Sequence, residues 1–208
     1  MYLPKHFEVT DQTVLWQLMQ EFNFALLVTA PDGLPFASTV PFVVNREQNL
    51  ISTHVAKANP QWKHLEPDRE VLIVFQAEHT LISSRWYAVH PNVPTWNYAT
   101  VHAYAMPRVL DADGLTAQVE ALMRQHGHEQ DMQALPSEYV SRLKNAIVGI
   151  EFSIIRLEGK FKLDQSKTRA DRQRVITHLE TQGDLEQGLA KRMRELEMDS
   201  ANMLKGPL

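Results

Sequence analysis

Apolar and polar positions alternate along the first half of this chain in short runs broken by turn residues. Phe24 to Ala30, FALLVTA, is a continuous apolar strand. Pro31-Asp32-Gly33 follows as a turn, because Pro fixes φ and Gly accepts a left-handed position. Phe36 to Val44 returns, so the pair reads as a β-hairpin. Asn45 to Asn49 makes a second polar turn before the strand that starts at Leu50. Val71 to Ala77, Ala99 to Leu110 and Ile147 to Leu157 add further strands, with Gly159 to Leu163 extending the last. Hairpin spacing of this kind predicts an antiparallel meander.

Helical spacing appears between and after these runs. Val14, Leu15, Leu18, Met19 and Phe22 share one face of a helix over 13–22, with Thr10 or Asp11 as its cap. Leu115, Val119, Leu122 and Met123 form a stripe over 115–126. Pro136 suits the first turn of a helix over 137–145. Two charge-rich helices follow at 171–181 and 184–197, separated at Gln182-Gly183, and the closing MLKGPL reads as a frayed end. Met1 to Val9 reads as an extended arm. HPNVPTWNY at 90–98 holds two prolines and reads as an irregular loop. Six or seven mostly antiparallel strands with late helices favour a small closed β-barrel over a doubly wound sheet. No G-x-G-x-x-G turn supports a Rossmann fold.

Composition narrows the chemistry. With 208 residues, 44% of them apolar, the chain can bury a large core. There is no cysteine, which removes disulfides, thiolate metal sites and thiol nucleophiles. That agrees with a reducing cytoplasm, the expected location. The first residues lack the apolar core of a signal peptide, and no apolar run approaches a membrane span of about 20 residues. A formal net charge of −4 argues against a surface that coats nucleic acid. His54, His64, His79, His90 and His102 show no metal-ligand spacing, so no metal is expected. His126 and His128 flank Gly127 as a solvated helix end. No G-x-S-x-G motif supports a hydrolase.

LISTHVAKANPQW, residues 50–62, changes from strand to polar turn within three residues. It delivers Lys57 beside an Asn-Pro turn and the start of a short helix over 60–65. One reading is an anion seat, in which an ammonium and free backbone N–H groups receive a phosphate. The other is an ordinary strand-to-helix turn with a solvated lysine. In VPTWNY, Trp96 offers a ring face and Asn97 an amide edge, or Trp96 anchors the core; both readings stay open.

Several stretches together resemble one family. MYLPKHF at 1–7, HVAKANPQW at 54–62, VPTWNY at 93–98 with Val101-His102, and GKFKLDQSK at 159–167 with Asp171-Arg172 look like the PaiB-type family. That family is described as FMN-binding split-barrel proteins and negative transcriptional regulators. The resemblance implies an FMN-binding split β-barrel over 1–168, with peripheral helices and a helical C-terminal extension over 169–208. It implies FMN as cofactor, held by Lys57 and Asn59, with Ser52, Thr53 and His54 lining the approach. Trp96, Asn97, Lys162 and Gln165 join them as cofactor-binding candidates. It also implies a homodimer with FMN at the interface. Asp164 stands where the family tends to carry a small hydroxyl. The alternative function is a flavin-dependent oxidoreductase, since flavins carry redox chemistry in any protein that holds them. No catalytic acid or base is identified for either.

The C-terminal helices have the outline of a helix-turn-helix. Arg169, Arg172, Arg174, Lys191, Arg192 and Arg194 are its candidate phosphate contacts. Yet Lys160 to Glu197 carries nine Lys/Arg against seven Asp/Glu, a net of plus two. DNA-reading modules are much more basic. DNA as a partner therefore requires a basic surface assembled from Arg169, Arg172 and Arg174 of two copies, and packing helices are the plainer reading.

Overall fold

The computed structural model describes residues 1–203, with backbone alone at 132, 133 and 198–203. The end where fraying is expected, 204–208, lies outside the described residues. The chain forms two compact units. The first holds Met1, 10–76 and 101–158, and the second holds 2–9, 77–100 and 159 onward.

The expected class, an antiparallel split barrel with peripheral and C-terminal helices, is what forms. Its strands are β1 (Glu8–Val9), β2 (Phe24–Thr29), β3 (Phe36–Pro41), β4 (Val43–Asn45), β5 (Leu50–Ala56), β6 (Val71–Ile82), β7 (Thr95–Val109) and β8 (Ile147–Lys162). They pair in the order β3-β2-β6-β7-β8-β5-β4, and β1 joins β8. That is eight strands rather than six or seven, because the returning strand at 36–44 divides and the N-terminal arm contributes β1. Pro41 has no N–H to continue the ladder. The next residue, Phe42, turns its N–H to Asn23 O at 2.8 Å.

This break closes the barrel of the first unit. β3 and β4 sit at opposite ends of the strand order, yet one residue separates them in the chain. Thr53 on β5 completes the seam by donating its hydroxyl to Pro41 O at 2.6 Å. Phe42 is fully buried there, 5.6 Å from the Phe75 ring and 6.0 Å from Phe152. Leu27, Ile51, Ile73, Val101, Ala103, Ala105 and Ile150 fill the rest of the interior. They follow the period of two that a half-buried strand requires.

Two helices seat against this unit for reasons visible in their caps. α1 (Gln12–Glu21) starts at Asp11, whose carboxylate accepts the Thr13 N–H at 2.7 Å. It buries Leu15, Trp16, Leu18 and Met19. α2 (Ala112–Gln125) starts at Asp111, which accepts the Gly114 N–H at 2.8 Å. It lies close over Gly149, where an added Cβ would meet Leu115 at 3.0 Å. α3 (Glu129–Gln133) and α4 (Ser137–Asn145) follow.

In the second unit, α5 (Arg169–Leu179) and α6 (Asp184–Met203) bury Val175, Ile176, Leu179, Leu189, Ala190 and Met193. Arg192 of α6 clasps Glu78 of β6, with both side chains buried and bonds of 2.8 and 3.2 Å. Gly188 allows this approach. The first residues are a short 3-10 turn, Lys5–Phe7, and then β1, rather than an extended arm throughout. Irregular structure ends at Pro94, so Trp96 to Tyr98 lie on β7 and not on the loop expected over 90–98.

Candidate functional site

β5 and the turn after it carry the first group of candidates. Neighbours on a strand point to opposite faces. Thr53 is therefore fully buried inside the barrel, while Ser52 and His54 face outward. His54 Nδ1 lies 2.9 Å from Gln118 Oε1 on α2. So Ser52, Thr53 and His54 do not line one approach. Thr53 holds the seam, and His54 is tied to a helix.

Lys57 and Asn59 sit where the strand becomes a turn. The Lys57 backbone is fixed on both sides, its N–H donating to Ala146 O at 2.8 Å and its carbonyl accepting from Trp62 Nε1 at 3.1 Å. The side chain is exposed, and its ammonium meets no acceptor among the described residues. Asn59 caps the five-residue 3-10 turn Pro60–His64. Its Oδ1 accepts the Gln61 N–H at 3.0 Å, and its Nδ2 donates to Ser38 Oγ at 2.9 Å. The expected helix here is thus a single short 3-10 turn, and its leading N–H is already satisfied. Any anion seat has to be built from side chains.

Gln61, absent from the candidates named on sequence, is fully buried. Its Nε2 donates to Leu27 O at 2.9 Å, Thr29 Oγ1 at 3.3 Å and Phe36 O at 3.3 Å. Two of these partners are carbonyls, which fixes the amide orientation. Its Oε1 is then buried with no partner among the described residues. Thr29 Oγ1 also lies 3.2 Å from His64 Nδ1. The turn that carries Lys57 and Asn59 is therefore pinned to the β2–β3 hairpin by polar groups. A buried amide at an Asn-Pro turn is the signal that could have pointed to it.

The second group belongs to the second unit. Trp96 is 53% exposed on β7, with its ring 6.2 Å from that of His79. It is not a core anchor. Asn97, its neighbour, points the opposite way and is fully buried. Its Nδ2 lies 3.9 Å from Met193 Sδ, and its Oδ1 has no partner among the described residues. Lys162 Nζ donates to Thr95 Oγ1 and to Trp96 O. Burial lowers its pKa, against the pull of Asp164. Gln165 is spent on its own turn, accepting from Leu163 N at 2.7 Å and donating to Phe161 O.

Asp164 is buried with φ +61°, a conformation that Asp and Asn tolerate better than most residues. Its Oδ2 accepts the Tyr87 hydroxyl at 3.0 Å. Burial raises the Asp164 pKa, outweighing hydrogen bonds from Tyr87 and Asn97 and the charges of Lys162 and Lys167. Burial, then the Asp164 charge, raises that of Tyr87 as well. The Asp164 carboxylate is thus an internal strut rather than a surface anion.

Most of the arginines considered for DNA are engaged within the chain. Arg172 pairs with Glu197 at 2.9 Å, Arg194 with Glu180 at 2.6 Å and Arg192 with Glu78. Arg174 Nε donates to Trp86 O at 2.9 Å.

Comparison with known proteins agrees with this architecture. Residues 1–156 match the family model described as "Putative FMN-binding domain". The chain is 35% identical over 206 residues to "Protease synthase and sporulation protein PAI 2" of Bacillus subtilis (strain 168). That alignment covers 96% of this chain and 97% of the relative. Among solved structures it resembles the FAD and haem binding protein from Mycobacterium smegmatis at a TM-score of 0.62. The identity is 14%, over 79% of this chain and 78% of that one. The flavocytochrome Anf3 from Azotobacter vinelandii gives 0.59 at 16% identity, over 79% and 74%. At such identities these two show the fold. No helix among the described residues is long and apolar enough to cross a membrane.

Proposed function

The chain belongs to this FMN-binding domain family, and from that premise we propose that it holds FMN, with Lys57 and Asn59 taking the phosphate end. The observation that carries the reading is the Lys57 ammonium. It is exposed and unengaged among the described residues, on a backbone anchored at both its N–H and its carbonyl. A dianionic phosphate suits one such cation and the neighbouring polar groups, Asn59 Nδ2 and Ser38 Oγ. Gln61 keeps the turn in place through its bonds to Leu27 O and Phe36 O. Lys57 compensates charge, and Asn59 orients by hydrogen bonding. When bound, FMN supplies one- or two-electron transfer.

A titration of the purified protein with FMN tests this reading, followed by quenching of flavin fluorescence. Wild type quenches with saturation. Lys57→Ala weakens the affinity by about 10- to 100-fold, since hydrogen bonds to charged groups contribute about 1.5–3 kcal/mol. Equal affinities for the two proteins reject Lys57 as the phosphate partner.

For the role of the bound flavin, the regulator reading supported by the family resemblance is carried as an indirect one. Arg172, Arg192 and Arg194 are engaged with carboxylates, and Arg174 with a carbonyl. A mobility-shift assay at about 100 mM salt tests it, because true phosphate contacts weaken steeply with salt. Tight, sequence-selective binding overturns the indirect reading. Nicotinamide-dependent reduction of bound FMN, with no shift of DNA, selects the oxidoreductase instead.

A further inference from the structure

α4 sits on the first unit with its polarity reversed. A surface helix of a globular unit turns its apolar stripe inward and its polar face to water. Ser137, Ser141 and Lys144 recur at i, i+4 and i+7 and share one face of α4, while Tyr139 and Leu143 share the opposite one. The polar face is the one turned toward α2. With Leu115 and Thr116 of α2 it lines a cavity of about 510 Å³. Tyr139 and Leu143 are each 42% exposed, and α4 buries no residue at all. Both helices belong to the first unit. This orientation forgoes the burial of two large apolar side chains. What it provides in return is a cavity furnished with polar groups.

The lining sets the chemistry of the ligand. Lys144 Nζ donates to Thr116 Oγ1 at 3.1 Å, from α4 across to α2. That hydroxyl is neutral, and no ion pair engages the ammonium among the described residues. None of the nine residues around the cavity is acidic, so the lysine charge stands uncompensated there. Ser137 and Ser141 add hydroxyl donors beside it, and Leu115 and Val140 add apolar surface. The volume falls within the roughly 300–1,000 Å³ of small-molecule sites, far more than an inorganic ion fills. We propose that the cavity between α2 and α4 binds a small organic acid. Its anionic group meets Lys144 and the serine hydroxyls, and its apolar body rests against Leu115 and Val140. A charge-assisted hydrogen bond of this kind is the strong type, and it selects the sign of the ligand. Lys57 and Asn59 do not line the cavity, and this site does not depend on the flavin reading.

Amide chemical shifts of the isotope-labelled full chain decide it, in titrations with phenylbutyrate, phenylbutylamine and inorganic phosphate to about 10 mM. Phenylbutyrate moves the amides of 112–116 and 137–145 saturably, with a Kd of about 1 mM or below. The amine, with the same apolar body and the opposite charge, does not. Phosphate, which lacks the body, binds at least about 10-fold more weakly than the acid. Lys144→Gln weakens phenylbutyrate by about 10-fold, and Lys144→Arg retains it. Ser141→Phe, at an exposed position where the fold is spared, fills the cavity and abolishes the shifts. FMN titrations of all three variants match wild type. An amine response equal to that of the acid overturns the proposal, as does a Lys144→Gln protein that binds the acid like wild type. Loss of FMN binding together with that of the acid overturns it too, and so does a wild type whose amides in these segments do not move.

Discussion

Gly188→Ala isolates the contact that fastens α6. An added Cβ at this position would lie 2.9 Å from Glu78 Cγ and 2.9 Å from its Oε1. Real Cβ atoms do not approach that closely, so Glu78 has to move. It cannot do so freely, because it is buried and held by Arg192 through bonds of 2.8 and 3.2 Å. Breaking a buried ion pair costs about 3–5 kcal/mol. Alanine returns about 1 kcal/mol as the better helix former. The net loss is about 2–4 kcal/mol, and for a chain of this length each kcal/mol lowers Tm by about 2–4 °C. Thermal unfolding followed by circular dichroism should therefore show a fall of about 4–16 °C. Made in a Glu78→Ala background, the same substitution should be neutral or stabilising, because the steric partner has gone. A Gly188→Ala protein as stable as wild type, with no difference between the two backgrounds, refutes the reasoning.

Further expectations follow from single contacts. The folded-state pKa of Asp164 is raised, so the stability linked to its protonated form is complete below the unfolded pKa and is lost as pH rises through the folded one. Asp164→Asn, which suits φ +61°, should thus gain in Tm over wild type as a pH series runs from acid to neutral; a constant difference contradicts this. Thr53→Val leaves the Pro41 carbonyl without its hydroxyl donor and should cost about 1–3 kcal/mol in urea unfolding. Gln61→Leu should cost a similar amount, about 1–3 kcal/mol, because Leu27 O and Phe36 O lose an N–H donor; wild-type stability would show that the amide is dispensable.

Much of the fold is legible because its signals are local. Apolar runs bounded by turn residues give β2, β5, β6 and β8, and Asp11 marks the start of α1 within one residue of the expected boundary. Pro31-Asp32-Gly33 turns as expected, with Gly33 at φ +80°. The division of the strand at Phe42 was not legible, because it depends on Asn23 and on barrel closure rather than on neighbours in sequence. Two prolines just before Trp96 read as a loop, yet β7 starts directly after Pro94. For the candidate site, Lys57 and Asn59 stood out as polar tips at a turn. Gln61 did not, since its worth comes from carbonyls 25 and 34 residues away. Thr53 and His54 looked equivalent as polar strand residues, and only the pleat separates them. The pairing of Glu78 with Arg192 spans 114 residues, a distance at which single-sequence patterning carries no information.

The central claim is that this chain binds FMN through the Lys57 turn. Titrating purified wild-type protein with FMN, FAD and haem side by side tests it most directly. Saturable quenching of FMN fluorescence, stronger for FMN than for FAD and diminished by Lys57→Ala, is the predicted result. No quenching of FMN, either by the protein as purified or after reconstitution, contradicts it.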